Sequence, residues 1–111
     1  MTSGITSLVI TSASQWKRSE MLVIVHYRAF QDNFDVRFHI PDCFASDLSL
    51  GERVEYIAEL IFKDTNLYSG PFWNRMDFPE DRHHTALSVG DSVTALGITV
   101  GCSPAGWKEL V

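Results

Sequence analysis

Residues 21–30, MLVIVHYRAF, form a run of aliphatic, β-branched and aromatic side chains broken by neither Gly nor Pro. No other stretch restricts the fold as much, because a segment of this length and make-up fits a strand crossing the middle of a sheet. Gln31-Asp32-Asn33 supplies turn chemistry after it. Phe34, Val36, Phe38 and Ile40 then alternate with Asp35, Arg37 and His39, the period of two expected of a half-buried strand. The two segments predict an antiparallel hairpin ended by Pro41.

A helix should follow. Ser49 with Glu52 makes a capping box, and Val54, Ile57, Ala58, Ile61 and Phe62 recur at i, i+3, i+4, i+7 and i+8, an apolar stripe that must lie on the sheet. The opposite side carries Glu52, Glu55 and Glu59. Lys63 stands four residues after Glu59, where an ion pair contributes only about 0.2–0.5 kcal/mol.

Residues 66–83 are dense in Gly, Pro, Asn and Asp, yet they are punctuated by Tyr68, Phe72, Trp73, Met76 and Phe78, too aromatic for a flexible tether. They are expected to fold over one edge of the core. Residues 87–96 and 98–102 read as a second hairpin turning near Gly97, with Trp107 capping the open end of the sheet. Gly90-Asp91 marks a bulge or tight turn at its start. The expected class is thus α+β: a small, mainly antiparallel sheet in the order β-β-α-β-β with one helix packed on one face.

Residues 1–19 are rich in Ser and Thr and read either as a loose arm or as an extra N-terminal edge strand, with Trp16 docking on the body. Residues 20–111 form a single domain, since 111 residues with 45% hydrophobic content suffice for one core and not two. Nine Lys and Arg against fourteen Asp and Glu give a net charge of −5, a field that opposes sequence-independent binding of nucleic acid. No run approaches the roughly 18 apolar residues of a membrane span. Without a basic leader region the chain is expected to be cytoplasmic, with Cys43 and Cys102 reduced.

Several segments also resemble a known class. They are Tyr27-Arg28-Ala29-Phe30, the loop ending in Asp81-Arg82, the run Ala86-Leu87-Ser88-Val89-Gly90-Asp91, and a hairpin closed by Gly106-Trp107. This layout resembles small proteins encoded by actinobacterial chromosomes, plasmids and phages, and its C-terminal part is similar to the YodL-like domain of mobile-element proteins, some associated with antirestriction. The chain departs from that class at the hairpin, where Ser92-Val93-Thr94-Ala95-Leu96-Gly97 replaces a longer Val-rich strand with an Asp-Gly tip. Val100 and Trp107 stand where the class usually has Phe and Tyr. The resemblance implies the fold and a mobile-element setting; most of that class has no assigned function.

Chemical motifs are sparse. Asp81, His83 and His84, with His26 and His39 on neighbouring strands, would make a metal or acid–base cluster only if the loop folded back over the hairpin, and no metal-ligand spacing is present. Cys102 has no base placed beside it by the sequence and reads as a small hydrophobe. Ser103-Pro104-Ala105-Gly106 lacks a nucleophile-elbow context and reads as a turn. Gly90 and Asp91 have structural roles: a backbone conformation reserved for Gly, and a carboxylate bonding nearby amides. No catalytic residue, bound metal or cofactor is expected.

The leading expectation is a non-catalytic protein-interaction module acting through Tyr68, Phe72, Trp73, Met76 and Phe78 and the face of Glu52, Glu55 and Glu59. The loop residues form a recognition patch or homodimer seam if exposed, and a core lid if not. A second reading is a small metal- or ligand-binding domain using Asp81, His83, His84 and Cys102. A third is an acidic DNA mimic, in which the helix acids with Asp32 and Asp35 imitate phosphates. Direct DNA binding would require Lys17, Arg18, Arg28, Arg37, Arg75 and Arg82 to converge on one face.

Overall fold

The computed structural model describes residues 19–31, 33–79 and 85–110. The N-terminal arm with Trp16, Lys17 and Arg18, the turn residue Asp32, and residues 81–84 with both loop histidines lie outside the described residues.

Strands β1 (Glu20–Tyr27) and β2 (Phe34–Pro41) form the expected hairpin, in a register running from Tyr27 opposite Phe34 to Glu20 opposite Pro41. Period-two alternation sends Val23, Val25, Tyr27, Val36, Phe38 and Ile40 to one face, where all are buried, and His26, Asp35 and Arg37 to the other. β1 is a central strand, because its second edge pairs with β3 (Ser92–Ala95). β3 pairs with β4 (Ile98–Ser103) and β4 with β5 (Gly106–Leu110), giving an antiparallel sheet in the order β2-β1-β3-β4-β5. Helix α1 (Leu50–Leu67) covers the buried face through Val54, Ile57, Ala58 and Ile61, all fully buried. Val54, Ile57 and Ile61 each contribute about 1.5–3 kcal/mol of hydrophobic stabilisation, and the Ala58 methyl less.

The α+β class and the β-β-α-β-β order are therefore present, with β5 added where the sequence suggested only a cap at Trp107. Trp107 sits on β5 and turns inward. Its ring meets Phe62 edge-on at 6.3 Å, and its Nε1–H donates to Glu59 at 2.9 Å. Glu59 is thereby committed to the sheet, and among the described residues it forms no ion pair with Lys63.

α1 starts where its capping box dictates. The Ser49 hydroxyl accepts the Glu52 amide, and the Glu52 carboxylate accepts the Ser49 amide. Arg53, one turn in, is buried and donates from its guanidinium to the carbonyls of Asp42 and Phe44, which fastens the turn before the helix to the helix itself. The helix ends at Tyr68, whose left-handed backbone (φ 54°) lets its amide bond the Asp64 carbonyl. Asp64 and Thr65 are buried polar residues with assigned partners. Asp64 Oδ2 accepts the Phe72 amide at 2.9 Å, and Thr65 Oγ1 accepts the Leu87 amide at 2.9 Å. The last turn of α1 thus ties down the chain on both sides of the aromatic loop.

Asp91 holds the far end of the sheet together. It is 2% exposed, and its Oδ1 accepts the amides of Arg28 at 2.7 Å and Ala29 at 2.8 Å while Oδ2 accepts the amide of Ser88 at 2.9 Å. Residues 28–30, read from sequence as the end of the first strand, leave the sheet here, where the amides of Arg28 and Ala29 turn to this carboxylate. Gly90 adopts φ 106°, a conformation that L-residues rarely adopt, and donates its amide to the Cys102 carbonyl. The segment Ser88-Val89-Gly90-Asp91 is therefore a turn that clamps β1 to β4, not the first half of a strand. Burial and the nearby negative charge of Asp91 together push the Tyr27 phenol above its ordinary pKa, and Tyr27 donates its hydroxyl to the Thr85 carbonyl at 2.7 Å.

Candidate functional site

A groove of about 340 Å3 opens between the end of β2, one side of α1 and the turn after the helix. Its walls are Pro41, Phe44, Leu60, Pro71 and Phe72, and the exposed cations Lys63 and Arg75 stand at its margin. Local order explains each placement. The Arg53 bonds fix the turn bearing Phe44, and the Asp64 carboxylate fixes Phe72 by its amide. Phe44 meets Phe72 edge-on at 5.5 Å and stacks on Tyr56 at 5.9 Å. Arg75 is anchored by Nη1–H donating to the His39 carbonyl at 2.8 Å. Phe44 and Tyr56 also line a shallower hollow of about 540 Å3 with Ala45, Asp47 and Leu48. On α1 the residues facing this side are Tyr56, Leu60, Lys63 and Leu67, spaced i, i+4, i+7 and i+11 as one helical stripe requires. Tyr56 is 46% and Leu67 62% exposed, so the two hollows and the stripe make a largely apolar surface along the helix.

The aromatic loop divides. Phe72 and Met76 are buried in the core, and Trp73 and Phe78 are half-buried against one another with ring centroids 5.1 Å apart. Phe78 reaches Tyr27 edge-on at 6.0 Å. Tyr68 alone among the five is exposed, and its ring sits 5.5 Å from Trp73. Most of the loop is thus a lid, and its contribution to an accessible surface is the Phe72 wall of the groove and the Tyr68 ring. Glu52, Glu55 and Glu59 are exposed on the neighbouring stripe of α1, but Glu52 serves the capping box and Glu59 holds Trp107.

The open face of the sheet carries an array that the sequence did not reveal. His26 Nδ1 lies 3.0 Å from Asp35 Oδ1, and His26 Nε2 lies 2.9 Å from Thr94 Oγ1, itself 2.7 Å from Thr99 Oγ1. In the neutral ring Nδ1–H donates to Asp35 and Nε2 accepts the Thr94 hydroxyl. Arg28 Nη2–H donates to the same Asp35 oxygen at 2.9 Å. Burial pushes the Asp35 carboxyl upward, but the hydrogen bonds and charges of Arg28 and His26 more than offset this and leave it below its usual value. The order hydroxyl, imidazole, carboxylate is that of a nucleophile with its base. However, Thr94 is held between two partners on a sheet face, and it lines neither of the two hollows above nor a smaller one beside Cys102 and Trp107. Each partner comes from an adjacent strand, so the array reads as a cross-strand polar ladder. Only the register could have shown it: His26 meets Asp35 because the β1–β2 hairpin sets them directly opposite one another, and the reach to Thr94 depends on β1 pairing with β3.

His39 is exposed on β2 and apart from this array. Asp81, His83 and His84 lie outside the described residues. Among the described residues no three of His, Cys, Asp or Glu are grouped to hold a metal. Cys102 is half-buried in a small hollow of about 160 Å3 with Phe62 and Trp107, where burial and the negative charges of Asp91 and Glu59 push its thiol pKa up. That environment disfavours the thiolate. Of the arginines considered for DNA, Arg28 is paired with Asp35 on the open face and Arg75 donates to the His39 carbonyl at the β2 edge. Among the described residues no helix is long and apolar enough to cross a membrane.

No protein-family profile matches the chain, and neither a curated protein nor a solved structure matches it.

Proposed function

We propose that this chain is a non-catalytic protein-interaction module, working in the cytoplasm and carried by a mobile element of the kind that its Ala86–Asp91 segment and closing Gly106-Trp107 resemble. The observation that supports the reading is the continuous apolar surface along α1, where Tyr56, Leu60, Phe44 and Phe72 line two adjoining hollows beside exposed Leu67. Aromatic side chains framing concave apolar ground, with charged residues at the margin, are what protein interfaces favour. The polar groups with chemical potential are meanwhile engaged internally. Asp91 and Asp64 bind backbone amides, and His26 is held between Asp35 and Thr94.

The test is affinity capture from host lysate with the full chain and with Tyr56→Arg, after both are shown to melt at the same temperature. A protein retained by the natural chain and lost from the variant supports the reading. Equal recovery by both forms, or turnover of an activated ester that depends on Thr94, argues for another function.

A further inference from the structure

We propose that the groove bounded by Pro41, Phe44, Leu60 and Phe72 takes a bulky apolar side chain from a partner protein, presented on a segment with carboxylates flanking that side chain. This inference rests on the interaction-module reading and names the chemistry of the partner. The walls are apolar, so the anchor is apolar. At about 340 Å3 the space lies at the lower end of the roughly 300–1,000 Å3 typical of ligand sites, and small ligands need about 70–90% of their surface buried. A groove open to solvent along one side does not enclose a free molecule to that degree, whereas an anchor side chain tethered to a larger partner needs no such enclosure.

The margin selects the charge. Lys63 makes no ion pair among the described residues, because Glu59, one turn earlier, is taken by Trp107. Arg75 is positioned by the His39 carbonyl. Asp64 also borders the groove, but it is 8% exposed and its carboxylate holds the Phe72 amide. Two exposed cations beside apolar walls, on a chain of net charge −5, run against the overall field and complement acidic residues. The chain's own first eighteen residues do not supply that complement, since they contain Lys17 and Arg18 and no Asp or Glu.

The experiment uses fluorescence anisotropy with the full chain and a labelled decapeptide in which a Trp-Leu pair is flanked on each side by two Glu. Two control peptides replace the Glu residues by Lys, or the Trp-Leu pair by Ala-Ala. The acidic peptide should bind, both controls should bind at least about tenfold more weakly, and Lys63→Glu should weaken the acidic peptide about fivefold. Lys63 is exposed, so this variant leaves the core untouched; equal melting temperatures confirm it.

Absence of binding by the acidic peptide, equal affinity for the Glu and Lys peptides, or no effect of Lys63→Glu overturns the proposal. Tighter binding of dodecanoate at the same groove overturns it in favour of a small amphipath. A self-association in sedimentation that Lys63→Glu abolishes overturns it in favour of a second copy of the chain. If Tyr56→Arg loses a captured protein while the acidic peptide fails to bind, the groove inference falls and the module reading stands. If Tyr56→Arg loses nothing, the module reading itself fails.

Discussion

Removing the Asp91 carboxylate should cost this fold more than any other single polar change. In Asp91→Ala three backbone amides lose their acceptor at once: Arg28, Ala29 and Ser88, now bonded at 2.7, 2.8 and 2.9 Å. A hydrogen bond to a charged group contributes about 1.5–3 kcal/mol net. The full sum is not reached, because Arg28 is exposed and Ala29 and Ser88 are half-buried, so water can replace part of what is lost. A loss of about 3–5 kcal/mol is expected, a large share of the roughly 5–15 kcal/mol that holds a domain folded. Asp91→Asn should be milder, at about 2 kcal/mol, since its amide oxygen still accepts two of the amides while its NH2 faces the Ser88 donor. Urea unfolding followed by tryptophan fluorescence measures both, with an unchanged slope expected. A loss below about 1 kcal/mol in Asp91→Ala would refute the reasoning, as would Asn and Ala variants of equal stability.

Three further outcomes follow from the same geometry. Asp35 is depressed in the folded chain, so its contribution is complete above its unfolded pKa of about 3.9 and disappears as pH falls through the lower folded value. Urea midpoints of the natural chain and Asp35→Asn should therefore differ steadily from neutral pH down to about pH 5 and converge in acid; a gap that widens in acid contradicts this. Gly70 sits at φ 121°, and a Cβ there would fall on the Asp64 carboxylate. Gly70→Ala should thus lower stability by about 2–4 kcal/mol in the same urea assay. Iodoacetamide at neutral pH should label exposed Cys43 well before Cys102, whose thiol pKa is raised, as peptide mass spectrometry would show.

Those elements that obey a simple period were legible in the sequence. Phe34 to Ile40 alternate, the α1 stripe repeats every three to four residues, and Ser49 with Glu52 marks the helix start, so the first hairpin and the helix stand where expected. Asp91 as an acceptor of amides and Gly90 as a left-handed residue were also readable from residue type. β5 was not, because Gly106–Leu110 is short and its outward residues are polar or isolated, leaving Trp107 to look like a cap. The aromatic loop gave no period either, and whether Phe72 faced core or solvent depended on its amide meeting Asp64, eight residues away. The groove and the His26 array join residues from three or more elements, and such contacts follow from register and packing, which local pattern does not contain.

Hydrogen–deuterium exchange on the full chain, alone and saturated with the protein it captures, tests the central claim most directly. The interaction-module account expects added protection in α1 around residues 56–67, in the turn at 42–48 and in the turn at 71–75, with the strands beneath His26 and Thr94 unchanged. Protection confined to the open sheet face, with none along α1, would contradict it.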